Sequence, residues 1–241
     1  MQSEHDSSGW VSSADAWADF VERDVNRVAL LDPVMLRLCG DVRGKRTLDV
    51  GCGEGRFARM LAAQGAFVTG IDPTVPLIDL AEERGGGPEY AAMPAESLDF
   101  ADNSFDLVVS YVVLVDINDY RRALQESTRV LAPGGRMVVS NLNGFVTSVV
   151  SPWHKDEDGN RLHVAVDQYH DARPDRVAWA GMEIVNWHRP LSDYMQAFLE
   201  CGLRLDHFEE PRPTPEAMAT HPKVAYNDRV PWFHAMVWSK R

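Results

Sequence analysis

The stretch Thr47-Leu-Asp-Val-Gly-Cys-Gly-Glu-Gly-Arg-Phe-Ala-Arg-Met-Leu61 decides the fold of this 241-residue chain. Leu48 and Val50 lie two positions apart, a spacing that is typical of the inward face of a β-strand. Three glycines follow at alternate positions, and glycine adopts the positive φ angles that let a ligand approach the backbone. Phe57 and Leu61 have helical spacing. The stretch therefore predicts a strand, a glycine-rich turn and a helix N-terminus, whose free N–H groups favour an anionic ligand.

An acidic residue follows the next predicted strand. Residues 66–71 predict that strand, and Asp72 comes directly after it, about 20 residues past the glycine turn, where an acid can bind both hydroxyls of a ribose. The alternative is a plain turn residue before Pro73. The glycine pattern alone is weak evidence, because nicotinamide-dependent enzymes use the related GxGxxG motif, and here Arg56 replaces its last glycine.

Composition limits the partners and the location. The net charge of −12 argues against nucleic acid or an anionic membrane as the main partner. Cys39, Cys52 and Cys201 lie far apart, so the sequence predicts neither a metal site nor a disulfide framework. A reducing cytoplasm fits this cysteine usage best. No signal peptide and no apolar run of membrane-spanning length is visible.

The N-terminal part has a helical pattern over residues 13–38. Ser13 is a possible N-cap, and Pro33 is expected to divide the segment into two helices. One interpretation is a helix that packs on a sheet edge. The other is a lid over a ligand, in which Asp24, Asn26 or Arg27 reaches inward.

After residue 140 the regular strand–helix alternation is interrupted. Residues 152–159 are predicted to form an extended polar loop, and residues 179–187 have strand-like spacing. A helix is expected over residues 188–202, with Ser192 as its cap. Residues 203–209 and 232–238 predict two last strands. The interruption would lie over the carboxyl edge of a parallel sheet, where loops often carry specificity.

Two motifs together resemble a known family. The pattern Asp-x-Gly-x-Gly-x-Gly from Asp49 to Gly55 and the helix–turn–strand run of residues 126–139 resemble the class I S-adenosylmethionine (SAM) methyltransferases of small-molecule type. Segments 188–202 and 209–238 resemble the ending of one bacterial subgroup. The resemblance implies an α/β, Rossmann-like fold whose mostly parallel seven-stranded sheet has helices on both faces, a small cap, and an antiparallel last strand between strands five and six.

The resemblance also implies a division of the chain and a set of cofactor residues. A single domain of residues 1–241 would comprise an N-terminal helical cap (13–43), a SAM-binding core (44–141), a substrate-cap insertion (142–187) and a C-terminal helix and hairpin (188–241). Pro94 stands where the family often has an aspartate, so Glu96 is either an adenine contact or a surface turn residue. The implied SAM-binding residues are Asp49, Gly51, Cys52, Gly53, Gly55, Asp72, Pro73, Ala95, Glu96 and Ser110.

The implied reaction is methyl transfer from SAM to an oxygen, nitrogen or carbon atom of a small molecule. It needs placement of the nucleophile and removal of its proton, without a metal. His188 is the candidate base, and the histidines of the insertion are alternatives to it. Tyr111 either lines the transfer site or packs against a helix. A nicotinamide-dependent oxidoreductase and a non-catalytic SAM-binding module are the competing functions.

Overall fold

A computed structural model describes residues 8–241, in which the strands form one large sheet and two hairpins. Residues 1–7, the start of the predicted domain, lie outside the described range. The strands, in chain order, are β1 Arg46–Val50, β2 Phe67–Asp72, β3 Glu89–Ala92, β4 Phe105–Tyr111, β5 Leu131–Leu142, β6 Trp153–Lys155, β7 Arg161–Val164, β8 Arg173–Trp179, β9 Met182–His188, β10 Arg204–Glu209 and β11 Phe233–Ser239.

The large sheet has the strand order β10-β11-β5-β4-β1-β2-β3. Strands β1 to β5 pair in parallel, whereas β11 is antiparallel to both of its neighbours, β5 and β10. The predicted seven-stranded sheet, with its last strand between the fifth and sixth, is therefore confirmed. Because β1 lies between β2 and β4, the carboxyl ends of these three strands meet at one edge, where ligands bind in open α/β sheets.

Helices cover both faces of the sheet, as predicted. One hydrophobic core contains Val108 from the sheet and Phe198 from a helix, and the other contains Val109 and Phe57. Side chains of adjacent strand residues point to opposite faces, so a strand with two buried faces is apolar at every position. The α-helices are α1 Trp10–Val21, α2 Asp32–Cys39, α3 Arg56–Ala63, α4 Val75–Arg84, α5 Tyr120–Val130, α6 Gly144–Thr147, α7 Leu191–Glu200, α8 Pro215–Thr220 and α9 Tyr226–Arg229.

The N-terminal segment departs from its sequence-based prediction. Helix α1 begins after Gly9 and ends at Val21, and a π-helical segment, Arg27–Leu31, leads directly into α2. The predicted break at Pro33 was wrong, because this proline lies in the first turn of α2, where its missing N–H costs no hydrogen bond. Ser13 does not cap α1 either; its side chain contacts the backbone of Glu183 instead.

The predicted polar loop at residues 152–159 was also partly wrong. This region contains β6 and the turn that leads to β7, a short exposed hairpin. Strands β8 and β9 form a second hairpin, which is joined to α1 by hydrogen bonds between the Ser13 side chain and the backbone of Glu183 (3.4 and 3.2 Å). The two segments predicted as caps are thus in contact with each other.

The start of α7 differs from its prediction too. The helix begins at Leu191, with Pro190 at the N-cap, and His188 is the last residue of β9. Ser192 does not cap the helix, because its hydroxyl contacts the neighbouring Asp193 carboxylate. Within residues 8–241, no helix has both the length and the apolar character needed to cross a bilayer.

Candidate active site

The glycine turn after β1 is shaped by close contacts. Gly51 and Gly55 have φ angles of 69° and 80°. A Cβ atom on Gly51 would lie 2.4 Å from the Val113 side chain, and one on Gly55 would lie 2.3 Å from the Tyr90 hydroxyl. Both distances are shorter than any non-bonded contact allows. A residue with a side chain is therefore excluded at both positions, by the backbone angle and by the neighbouring side chain.

A cavity of about 190 Å³ opens above this turn, at the carboxyl edge of β1, β2 and β4. Two of the predicted cofactor residues do not line it. Gly55 packs against Tyr90, and Ser110 is buried behind the wall, where its hydroxyl has no hydrogen-bond partner in the described structure. The other predicted residues all line this cavity, namely Asp49, Gly51, Cys52, Gly53, Asp72, Pro73, Ala95 and Glu96.

Asp72 joins the end of β2 to the glycine turn. Its Oδ1 atom accepts a hydrogen bond from the Thr74 N–H (2.9 Å), and its Oδ2 atom accepts one from the Gly53 N–H (3.1 Å). Burial raises the pKa of the Asp72 carboxyl, and these two bonds oppose the rise. The carboxylate therefore fixes the turn, and the remaining lone pairs of its oxygens are available to a ligand in the cavity.

Asp49, on the same wall, is a buried acid with an unsatisfied atom. Its Oδ2 has no hydrogen-bond partner in the described structure. Burial raises the pKa of Asp49 to about 7, and the neighbouring Glu54 and Asp72 carboxylates add to the rise, whereas Arg27 opposes it. A buried, unpaired carboxyl group beside a cavity is a suitable site for a cationic group of a ligand.

Arg27 lies between two aromatic rings on the cavity wall. Its guanidinium carbon is 4.9 Å from the ring centre of Trp17 and 4.4 Å from that of Tyr111. The Tyr111 hydroxyl donates to Asp32 (2.9 Å), which also forms an ion pair with Arg56 (2.6 Å). Sequence analysis gave Arg27 only as one of three candidates. The π-helical segment that begins at this residue, a feature often found at functional sites, could not be foreseen from the sequence.

A second cavity, of about 410 Å³, adjoins the first. The two share the side chains of Trp10, Trp17, Arg27, Val112 and Asp116 on their common wall. Most of the second cavity is apolar, with residues from the N-terminal helix, from the insertion and from the start of β11. Its tryptophan and phenylalanine side chains, in the described structure, are Trp10, Trp17, Phe20, Trp179, Trp232 and Phe233.

His188 lies on the wall of this second cavity, as expected from its position before α7. Both of its ring nitrogens are hydrogen-bonded. Nε2 donates to the Tyr169 carbonyl (2.9 Å), and Nδ1 is 2.8 Å from the Thr147 hydroxyl. Because burial lowers the pKa of His188, the neutral ring accepts from Thr147 at Nδ1. His188 can therefore take a proton only if it releases that hydroxyl.

The alternative histidines and the tyrosine lie elsewhere. His154, His163 and His170 are exposed and line neither cavity. Tyr111 lines the first cavity, where its ring packs edge-on against Phe57 (4.9 Å between ring centres). Tyr111 therefore packs against α3 and lines this cavity, and its place at the transfer site stays a prediction. Among residues 8–241, no group of three or more histidine, cysteine, aspartate or glutamate side chains could hold a metal ion.

The loop after β4 begins with a strained residue, Val112, and carries Asp116, which sequence analysis did not consider. Val112 has a φ angle of 57°, which is rare and strained for a β-branched residue and is typical of positions held for function. Four residues later, Asp116 lines both cavities, and its Oδ1 atom accepts a hydrogen bond from the Asn186 side chain (2.6 Å). No motif marks Asp116 in the sequence, because its partner lies 70 residues away.

Comparison with known proteins agrees with this geometry. Residues 48–139 match the methyltransferase domain family. The chain is 32% identical over 131 residues to a malonyl-[acyl-carrier protein] O-methyltransferase of Pseudescherichia vulneris, covering 54% of this chain and 51% of that protein. It is 36% identical over 104 residues to a demethylmenaquinone methyltransferase of Renibacterium salmoninarum, covering 43% and 44%. The alignments thus span about half the length of each of these two relatives.

A solved structure extends the likeness to almost the whole fold. The SAM-dependent methyltransferase of Mesorhizobium loti superposes with a TM-score of 0.80 at 25% identity, over 91% of this chain and 100% of that one. Residues 48–139 therefore match a methyltransferase domain, and the fold of the chain is that of a class I SAM-dependent methyltransferase, as the resemblance implied. The family's cofactor is SAM.

Proposed function

We propose that this protein transfers the methyl group of SAM to a small molecule that binds in the larger cavity. SAM supplies an activated methyl group on a positively charged sulfur. The observation that carries the proposal is the contact between two cavities of different chemistry at the carboxyl edge of the sheet. The first is enclosed by the glycine turn and by buried acids, and the second contains six tryptophan and phenylalanine side chains.

The residues of the first cavity fit SAM. Asp72 ends β2 beside the cavity and is the candidate acceptor for the ribose hydroxyls. The unpartnered carboxyl oxygen of Asp49 suits the amino group of the methionine part, and Arg27 is the cation available for its carboxylate. Ala95 and Glu96 line the wall where the adenine is expected. Gly55 and Ser110 would then support the cavity wall from behind.

The second cavity suits an apolar acceptor. Pockets for small molecules are mostly lined by hydrophobic and aromatic side chains, with a few polar groups that fix orientation. One relative is named as a malonyl-[acyl-carrier protein] O-methyltransferase and the other as a demethylmenaquinone methyltransferase. Their names favour a small organic acceptor. The names do not decide whether the methylated atom is oxygen, nitrogen or carbon. We propose oxygen.

The predicted division of the domain fits this proposal. We assign the cap role to residues 13–43 and 142–187, since both contribute walls to the second cavity and are hydrogen-bonded to each other. Residues 44–141 would bind the cofactor, and residues 188–241 complete the sheet. We further propose a cytoplasmic protein, because all three cysteines are free thiols, and no nucleic-acid or membrane partner, because the net charge is −12.

Isothermal titration with SAM, S-adenosylhomocysteine (SAH) and NAD tests the cofactor assignment. We expect saturable binding of the first two and none of NAD. The family assignment does not favour the nicotinamide-dependent alternative, and preferential binding of NAD would overturn our proposal. Release of SAH in the presence of an acceptor separates an enzyme from a module that only binds SAM. Binding of SAM with no turnover on any member of a broad panel of aromatic alcohols, amines and enols would favour the binding module.

A further inference from the structure

Asp116 occupies the wall between the two cavities. Its Oδ1 atom is held by the Asn186 amide at 2.6 Å, and its Oδ2 atom has no hydrogen bond or ion pair within the described structure. The residue keeps partial exposure, and its side chain lines both cavities. Asp116 therefore has one oxygen fixed by the protein and one oxygen available to a ligand at the wall between the cavities.

The loop that carries Asp116 is held in place from two sides. The buried Arg189 side chain donates to the carbonyl oxygens of Leu114 (3.0 Å), Ile117 (2.7 Å) and Asn118 (2.9 Å). On the other side, the Trp187 N–H of β9 donates to the Val115 carbonyl (2.6 Å). A reacting group needs this kind of fixed placement, because small displacements cost large factors in rate.

The electrostatic surroundings leave Asp116 prepared to accept a proton. Burial raises the pKa of its carboxyl well above the usual range, and the Asp72 carboxylate raises it further. The Asn186 hydrogen bond and the more distant Arg27 and Arg189 oppose the rise. A carboxylate whose pKa is raised in this way is a stronger base than one in water.

We propose that Asp116 is the catalytic base and that the acceptor is a planar, apolar aromatic compound with a hydroxyl group. The inference rests on the proposed function. The acceptor oxygen forms a bond to the methyl carbon while the bond between that carbon and sulfur breaks, and its electron pair remains on sulfur. The hydroxyl proton passes to the Oδ2 atom of Asp116. One positive and one negative charge disappear in the step, which a cavity of low polarity favours.

The chemistry of the step favours a hydroxyl over an amine. A protonated amine would form an ion pair with the Asp116 carboxylate, but it has no free electron pair with which to attack the methyl carbon. A neutral hydroxyl keeps its electron pairs and needs to give only one proton to Oδ2. The ring of the acceptor would contact the six tryptophan and phenylalanine side chains of the second cavity.

Three naphthalene probes with the same ring system test the inference, namely 2-naphthol, its methyl ether and 2-naphthylmethylamine. Binding to the SAH-loaded protein is measured by calorimetry, and methylation by SAH release from SAM. We expect 2-naphthol to bind about tenfold more tightly than its ether, as for one hydrogen bond to a charged group. Equal affinity for 2-naphthol and its ether would overturn the inference even if no probe is methylated, and so would methylation of the amine in preference to 2-naphthol.

The variant Asp116→Asn keeps the shape and the contact with Asn186 but cannot take a proton. We expect it to lose the preference for 2-naphthol over the ether and, where the probe is methylated, about 10²–10⁴-fold in kcat, with unchanged SAM affinity. Wild-type behaviour in both respects would overturn the role of Asp116. If the wild-type protein does not bind SAM, the proposed function is contradicted instead. Asp79→Asn, at an exposed acid on α4, is the matched control.

If Asp116→Asn does not fold, Asn186→Ala replaces it. This change removes the hydrogen bond that orients Asp116 and leaves the acid in place. A reduced preference for 2-naphthol over its ether is then the expected result, with SAM affinity unchanged. An unaltered preference would contradict the inference.

Discussion

The two cavities are built in different ways. The first is formed by the ends of neighbouring strands and by one continuous turn, so that Asp49, Gly51 and Gly53 come from five consecutive residues. The second is formed by the N-terminal helix, the loop after β4, the insertion and β11, which lie far apart in the sequence. Trp10, Trp17 and Arg27 of the N-terminal segment line both cavities, but the first depends mainly on the turn and the strand ends, whereas the second depends on how distant segments pack. Cofactor binding should therefore respond to single residues, and acceptor binding to the cap as a whole.

The largest effect is expected from Gly53→Val. Gly53 has a φ angle of 55°, and a Cβ atom there would point into the cavity, 3.1 Å from the Trp17 Nε1 atom. A branched side chain would strain the turn and occupy the space of the ligand, so we expect SAM binding to be undetectable by calorimetry. Gly44→Val is the matched control, because Gly44 also has a positive φ (71°) but nothing within 4 Å. Normal SAM binding by Gly53→Val would separate the glycine turn from the cofactor site.

A smaller effect is expected from Asp72→Ala. This change removes a buried acceptor from the cavity and releases the N–H of Gly53. A hydrogen bond to a charged group contributes about 1.5–3 kcal/mol, so the Kd for SAM should rise about 10- to 150-fold for each bond lost. Calorimetry measures the change, and circular dichroism checks that the protein is folded. An unaltered Kd would remove Asp72 from the cofactor site.

His188→Ala tests the independence of the second cavity. The buried ring satisfies the Tyr169 carbonyl and the Thr147 hydroxyl, so its removal should lower the free energy of unfolding by about 1–3 kcal/mol. SAM affinity should not change, because His188 lines only the second cavity. Denaturant unfolding and calorimetry give the two values, and the exposed His154→Ala serves as control. A weaker SAM affinity would show that the two cavities are coupled.

The turnover of the same variant tests the sequence-based prediction for His188. A base at this position predicts a loss of about 10²-fold or more. A histidine that orients the cavity wall predicts a smaller loss together with the loss of stability. The role of base remains a prediction for His188 until this rate is known, and a rate that falls with His188→Ala but not with Asp116→Asn would favour it over Asp116.

The smallest effect is expected in the pH dependence of folding stability and of SAM affinity, through Asp49 in the first cavity. The pKa of Asp49 is raised from 3.8 to about 7 in the folded protein, so the folded state holds a proton that the unfolded chain loses. Its contribution to stability is therefore present below pH 3.8 and is lost as the pH rises through 7. SAM is cationic and favours the ionised carboxyl, so its affinity should rise a few-fold between pH 6 and 8.

Asp49→Asn should flatten this dependence in both measurements. Part of it will remain, because burial also raises the pKa of Glu54 and Asp72 on the same wall. Calorimetry at three pH values and denaturant unfolding in the same buffers provide the comparison. A SAM affinity that falls with rising pH would contradict the placement of a cationic group beside Asp49.

The sequence by itself determined the sheet core and most of the first cavity. The signals are local: alternating apolar residues, closely spaced glycines and an acid after the second strand. The short segments between these residues can adopt few other conformations. Of the ten cofactor residues that the family resemblance implied, eight line one cavity. The strand order was implied by the family resemblance and is confirmed by the structure, since the periodicity of the residues alone does not fix it.

The tertiary structure decided what the insertion and the N-terminal segment do. The strands of the β6–β7 hairpin are only three and four residues long and largely exposed, so they have no apolar alternation to reveal them. The helix break lies at residues 22–24 and not at Pro33, which is tolerated in the first turn of α2. Asp116 shows the same limit for the site, because its character depends on burial, on Asn186 and on a cavity wall, none of which is adjacent to it in the sequence.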